Sequence, residues 1–100
     1  MKITVEHGLL IVAGRNGRAV NFTDIVEVAA EKVGKLTYDE VFLIVRGQSG
    51  EAISLGELDD GFADAEQALR SRLPGFPSDW WIAAEQAPVG IRAQVWPTPV

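Results

Sequence analysis

The first 55 residues contain apolar runs of at most about five residues, and turn sequences that contain glycine separate several of these runs. A run of this length is too short for a typical helix but fits a strand. The clearest examples are residues 41–45 and Leu9–Ala13. His7-Gly8, Asn16-Gly17 and residues 47–50 supply turns, and Asn-Gly tolerates the positive φ angles of a tight hairpin. The front of the chain is therefore predicted to form antiparallel strands joined by hairpins.

The pattern within these runs predicts how the strands are buried and paired. The continuous apolar run 9–13 indicates a strand that is buried on both faces. Residues 19–22 are expected to return antiparallel to it after the Asn-Gly turn. Residues 51–55 are expected to pair back onto 41–45 in the same way, with alternate side chains facing the core.

Residues 24–36 carry two competing patterns. Asp24 and Glu27 have the spacing of a capping box, and Gly34 could end a helix that begins there. Residues 25–28 are instead β-branched and partly alternating, which favours a strand. The sequence leaves both alternatives open. The apolar face of the helical alternative consists of Ile25, Ala29, Val33 and Leu36.

The strongest helical pattern covers residues 62–73, where apolar residues recur at helical spacing. Asp59 or Asp60 is expected to cap the start of this helix, and Pro74-Gly75 is expected to end it. A shorter helix from residue 80 to about 87 and a last strand within 90–96 are predicted after it. The apolar stripe of the first helix consists of Phe62, Ala65, Leu69 and Leu73.

These elements predict an α+β fold that is mostly β. We expect an antiparallel bent sheet, or a partly open barrel, of about six strands capped by the helix 62–73. The length of 100 residues fits one domain. Within it, residues 1–76 are interpreted as the core and residues 77–100 as a short extension that contains tryptophan.

The order of these features resembles that of the bacterial pleckstrin-homology-like domains. The resemblance covers roughly residues 2–76. It is carried by consecutive strands, by Asp24-Ile25 at the start of the fourth, by the strand and turn that lead into residues 47–55, and by the helix pattern Phe-x-x-Ala-x-x-x-Leu-x-x-x-Leu-Pro. It implies a small sheet capped by a helix and a role as a binding adaptor. The lysine and arginine cluster of the lipid-binding members is missing, since their first hairpin corresponds here to His7-Gly8. Lipid binding is therefore not implied.

The composition excludes several kinds of chemistry. The chain has no cysteine, which excludes a disulfide scaffold, a thiolate zinc site and a cysteine nucleophile. The single histidine, His7, has no second imidazole with which to build a metal site, so we interpret it as a solvated turn residue and expect no metal ion or cofactor. The start lacks a signal-peptide pattern, and no apolar run approaches the ~20 residues of a membrane span. These features predict a soluble, cytoplasmic protein that does not bind membranes.

Five carboxylates cluster at the start of the predicted helix, within residues 57–66. Clustered carboxylates can bind Ca²⁺ or Mg²⁺, but the spacing of an EF-hand is absent. Acidic residues at the start of a helix also complement its dipole, and this is the favoured interpretation. A carboxylate-dependent enzyme is kept as an alternative. Such an enzyme would need two of these acids to face each other across a cleft, which a sequence does not show. The cluster consists of Glu57, Asp59, Asp60, Asp64 and Glu66.

Residues 12–20 are similar to the Gly-x-x-Gly loop of KH domains, which clamps a nucleic-acid backbone. The loop is Gly14-Arg15-Asn16-Gly17 here, and the similarity implies that Arg15 and Arg18 would contact phosphates. A KH loop joins two helices, whereas residues 9–13 predict a strand. The net charge of −5 also opposes binding to a polyanion. A hairpin turn is therefore favoured, with nucleic-acid binding as the alternative.

All three tryptophans, Trp80, Trp81 and Trp96, lie in the last quarter of the chain. Neighbouring positions on a helix differ by ~100°, so Trp80 and Trp81 cannot both face one core. One is expected to pack on the sheet, and the other to lie at an interface, where tryptophan is enriched. Since the residues of the common catalytic sets are missing, the predicted function is a non-enzymatic protein-interaction module. These tryptophans are its candidate contact residues, and its partner is another protein or a second copy.

Overall fold

The strands of the protein divide into two antiparallel sheets. The computed structural model describes residues 2–13 and 17–97, which confirm the predicted α+β, mostly β class. One sheet has the strand order β1-β2-β3 and the other has the order β6-β5-β4-β7, so the strands form neither a single bent sheet nor a closed barrel. The elements are, in chain order, β1 (Lys2–Glu6), β2 (Leu9–Ala13), β3 (Arg18–Asn21), a 3-10 turn (Phe22–Asp24), β4 (Ile25–Gly34), β5 (Asp39–Gly47), β6 (Ala52–Gly56), α1 (Phe62–Arg72), α2 (Trp80–Gln86) and β7 (Arg92–Trp96).

The first sheet is formed by the predicted hairpins. β3 returns antiparallel to β2, with Val12 opposite Arg18. The prediction that β2 is buried on both faces is wrong. Leu10 and Val12 are buried, but Leu9 and Ile11 point to the opposite face and are only half-buried. The physical reason is that an antiparallel sheet needs cover on one face only.

The ambiguous segment 24–36 is a strand over most of its length. β4 is an inner strand of the second sheet and pairs with β5 on one side and β7 on the other. Hydrogen bonds to these two strands satisfy the backbone N–H and C=O groups of β4, which would be paired within the segment itself if it were a helix. The capping box therefore does not form. Asn21 caps the preceding 3-10 turn by accepting a hydrogen bond from the Thr23 amide.

The helix α1 has the predicted stripe, in which Ala65, Leu69 and Leu73 are buried and Phe62 is half-buried. The prediction that Asp59 or Asp60 caps it is wrong, because the N-cap is Gly61, which has a φ of +89°. The physical reason is that Asp60 forms an isolated β-bridge with Lys2 just before the helix, in which the Asp60 carbonyl accepts a hydrogen bond from the Ile3 amide at 2.7 Å. Glycine takes the left-handed conformation that joins this bridge to the helix.

One hydrophobic core lies between the two sheets and the two helices. Segment 77–97 contributes to it directly, since Trp80, Ala84 and Val95 are buried in the same cluster as the strands. β7 also completes the second sheet by pairing with β4. None of the helices in the described residues is long and apolar enough to cross a membrane.

Candidate functional site

The two neighbouring tryptophans of α2 have opposite environments. Trp80 is 6% exposed, and its ring lies 6.4 Å from that of Phe62. Its indole N–H donates a hydrogen bond to Glu66 Oε2 at 2.9 Å. Trp81 is 48% exposed. Trp80 is therefore a core residue, and Trp81 presents its ring to solvent.

Trp96 has a structural environment at the end of β7. It is half-buried and packs against the core, and its indole N–H donates to the Pro74 carbonyl at 2.8 Å. This bond ties the end of β7 to the segment that follows α1. Of the three candidate tryptophans, Trp81 has the most surface available for a partner.

Exposed apolar side chains concentrate around α2. Four of the seven large exposed apolar residues in the described chain lie between positions 81 and 91. Two belong to α2 and two to the segment that returns to β7. They are Trp81, Ile82, Val89 and Ile91.

A groove of about 300 Å³ runs between α2 and β7. Ile82 and Ala83 line it from the helix, and Ala93 and Val95 line it from the strand. Because alanine occupies both walls, the helix and the strand leave a gap that larger side chains would fill. Asp79 carries the one charge among the described residues that line this groove.

A smaller pocket of about 170 Å³ lies on the other flank of α2. Trp81 lines it together with the carboxylate residues Glu57, Glu66 and Glu85. Two of these carboxylates have structural partners: Glu57 accepts a hydrogen bond from the Val41 amide, and Glu66 binds Arg70 at 2.7 Å. Both flanks of α2 therefore combine apolar walls with negative charge.

The acidic cluster at the start of α1 makes local contacts. Asp59 accepts a hydrogen bond from the Gly56 amide at 2.9 Å, and Asp64 lies in the first turn of α1, where it complements the helix dipole. Among the residues that the structure describes, no group of three or more acidic or histidine residues is arranged to hold a metal ion.

The structure places one of the two nucleic-acid candidates, Arg18, at the start of β3. Arg15 lies outside the described residues, and Arg18 is exposed and donates a hydrogen bond to the Ala52 carbonyl at 3.3 Å. The described residues on both sides of this loop form β2 and β3 rather than the two helices of a KH domain. His7 is exposed in the turn between β1 and β2, with a φ of +50°.

Sequence reasoning did not identify the groove beside α2. Ile82, Ala83 and Ala93 were absent from the candidate residues, because small residues in a short helix and a short strand give no signal of their own. The groove exists because β7 folds back alongside α2 to pair with β4. The groove depends on how β7 lies against α2, which a sequence does not show.

Comparisons of this chain with protein-family models, with curated proteins and with solved structures found no match.

Proposed function

We propose that this protein is a non-enzymatic protein-interaction module whose contact surface is centred on α2. The observation that carries the proposal is the concentration of large exposed apolar side chains between Trp81 and Ile91. Large exposed apolar side chains that gather in one region of a folded domain often mark an interaction site. The resemblance to pleckstrin-homology-like domains stays a prediction, and the proposal does not depend on it.

Trp81 is the expected energetic centre of this surface. Its ring is about half exposed, whereas the core position next to it is already filled by Trp80. Tryptophan is among the residues that contribute most to binding when an interface covers them. The folded chain therefore supports an interface role for Trp81 better than a packing role.

The experiment compares Trp81→Ala with Leu36→Ala. Leu36 is fully exposed in the turn between β4 and β5 and lines neither of the two pockets beside α2, so its loss removes apolar surface outside those pockets. Each immobilised protein is used to capture partners from a lysate of cells that express it, and light scattering measures its oligomeric state. We expect Trp81→Ala to abolish one specific association, with another protein or with a second copy, and Leu36→Ala to leave it intact.

Both variants should keep the unfolding midpoint of the parent, because neither side chain is part of the core. Two results together would contradict the proposal. The protein would be a monomer, and the parent, Trp81→Ala and Leu36→Ala would capture the same proteins.

A further inference from the structure

The pocket that Trp81 lines lies between α1 and α2 and gathers carboxylates from three separate parts of the chain. Glu57 follows β6, Glu66 belongs to α1, and Glu85 belongs to α2. Only the tertiary structure brings these residues to one pocket. Like charges that the fold brings together oppose folding, and a bound cation would remove that cost.

The charges beside this pocket leave an excess of one negative charge. Arg70 is bound to Glu66 Oε2 at 2.7 Å, and the Lys32 ammonium is bound to the Glu85 carbonyl at 2.6 Å. Among the residues that the structure describes, the Glu85 carboxylate has no hydrogen-bond or ion-pair partner, and no lysine or arginine lines the pocket. Three carboxylates beside two cations are balanced by one further monovalent cation.

The walls of the pocket are aromatic as well as acidic. Phe62, Trp80 and Trp81 all line it, and Trp81 is 48% exposed. A cation placed over the face of an aromatic ring is attracted by the electrons of that ring, most strongly by those of tryptophan. The pocket therefore combines two kinds of group that bind organic cations.

The size and depth of the pocket fit one side chain. Its volume is about 170 Å³, whereas pockets for drug-sized molecules measure roughly 300–1,000 Å³. Val41 and Trp80 are buried and form its floor, while Glu57 and Glu85 are exposed and lie at its rim. A long side chain with an apolar stem and a charged end suits such a site.

The arrangement of the carboxylates favours a guanidinium over a metal ion or an ammonium. In the described part of the chain, no three acidic residues are placed to hold one metal ion. A guanidinium spreads five N–H donors over a plane and stacks on aromatic rings, whereas the ammonium of lysine is a compact point charge. Arginine can therefore contact separated carboxylates and the Trp81 ring at the same time.

We infer that the pocket between α1 and α2 binds an arginine side chain of the partner protein, with its guanidinium between the Trp81 ring and the carboxylates. The inference rests on the proposed function and names the side chain by which this surface recognises its partner.

The test uses nuclear magnetic resonance of the isotope-labelled full-length protein, with Nα-acetyl-arginine amide as the probe. We expect the indole N–H signals of Trp80 and Trp81 to shift until the site is saturated. The signal of Trp96 should stay, because Trp96 does not line the pocket and its N–H is bound to the Pro74 carbonyl. Nα-acetyl-citrulline amide has nearly the same shape without the charge and should cause no such shift.

Nα-acetyl-lysine amide separates recognition of a guanidinium from recognition of charge. It should bind at least about threefold more weakly than the arginine probe, since it lacks the planar group that stacks on tryptophan. Equal or tighter binding of the lysine probe would overturn the choice of arginine. No saturable shift of Trp80 and Trp81 with the arginine probe would overturn the inference as a whole.

Two variants place the probe in the pocket. Glu85→Gln should weaken binding at least about threefold, and Trp81→Ala should weaken it about tenfold, as followed on the Trp80 signal. Both side chains are exposed, so both variants should fold. Glu6→Gln removes the same charge from the exposed end of β1, outside the pocket, and should leave binding unchanged. Equal effects of Glu6→Gln and Glu85→Gln would show that the probe responds to net charge, which would also overturn the inference.

The outcomes separate the inference from the proposed function. If Trp81→Ala abolishes the captured association but the arginine probe does not bind, the interaction surface stands and the arginine pocket is wrong. If the probe binds as expected while Trp81→Ala leaves every captured association unchanged, the chemistry assigned to the pocket stands and the proposed function is wrong.

Discussion

Trp80 and Trp81 show how one helical step separates a packing residue from an interface candidate. The ~100° rotation between them turns Trp80 toward the core, where its N–H is satisfied by Glu66. Trp81 is left on the flank of the helix. The sequence predicted that the pair would divide in this way. It did not indicate which of the two would be buried, because that depends on the face of α2 that meets β4 and β5.

Among the glycines that the structure describes, Gly61 is the one at which a side chain would be least tolerated. It has a φ of +89°, and a Cβ atom there would overlap the carbonyl oxygen of Ile3. Gly50 has almost the same φ, +90°, but a Cβ atom there would meet no atom within 4 Å. Comparing substitutions at these two glycines therefore separates two contributions to the loss of stability: the left-handed backbone conformation, which both share, and the steric clash, which only Gly61 has.

We expect Gly61→Ala to lower the free energy of unfolding by clearly more than Gly50→Ala. Gly50→Ala should cost about 1–2 kcal/mol, the usual penalty for placing an L-residue in this region. Gly61→Ala should cost at least about 2 kcal/mol more, since α1 or β1 must move to relieve the overlap. Urea denaturation of the two variants measures the difference. Equal losses would mean that the contact between Gly61 and Ile3 does not constrain the fold.

At the scale of elements, α2 is a short helix held by its surroundings. It has seven residues, and a helix of that length is unstable by itself in water. Trp80 and Ala84 anchor it to the core. Its C-terminal turn is held to β4 because the Lys32 ammonium donates to the Glu85 carbonyl. The segment after the helix is held to the same residue, since the Lys32 carbonyl accepts a hydrogen bond from the Gly90 amide.

Lys32→Met should loosen the end of α2 selectively. The substitution keeps an apolar stem but removes the cation that binds a carbonyl of the last helical turn, a contact worth about 0.3–1 kcal/mol. We expect faster amide hydrogen exchange over residues 84–87 and unchanged exchange in α1.

The control for this prediction is Lys35→Met. It makes the same change of charge just after β4, where Lys35 lies near Glu40 and Phe42 rather than α2. If both variants accelerate exchange in α2 to the same extent, the effect comes from net charge and not from the contact with Glu85.

At the scale of the whole molecule, the last quarter of the chain completes the core. Trp80 and Val95 are buried against the strands, and β7 covers one side of β4. Each large apolar side chain buried on folding contributes about 1.5–3 kcal/mol, so Trp80 and Val95 together contribute about 3–6 kcal/mol. This is a large fraction of the total stability of a typical domain, about 5–15 kcal/mol.

A chain truncated after Phe76 should therefore lose its cooperative unfolding transition. Calorimetry of residues 1–76 is expected to show no sharp transition, and the exposed inner faces should bind a hydrophobic dye. Adding a synthetic segment 77–97 should restore the transition if the missing core residues are the cause. A truncated chain with the unfolding midpoint of the parent would show that residues 1–76 hold a sufficient core.

The sequence by itself determined the hairpins of the first sheet, β5 with β6, and the apolar stripe of α1, because these depend on spacings of two or about four residues and on local turns. Only the tertiary structure decided that residues 25–34 form a strand, since β4 exists through its pairing with β5 and β7. The same holds for the candidate site. The sequence pointed to the tryptophans of the last quarter, whereas the groove beside them arises where β7 returns to β4, from residues far apart in the chain.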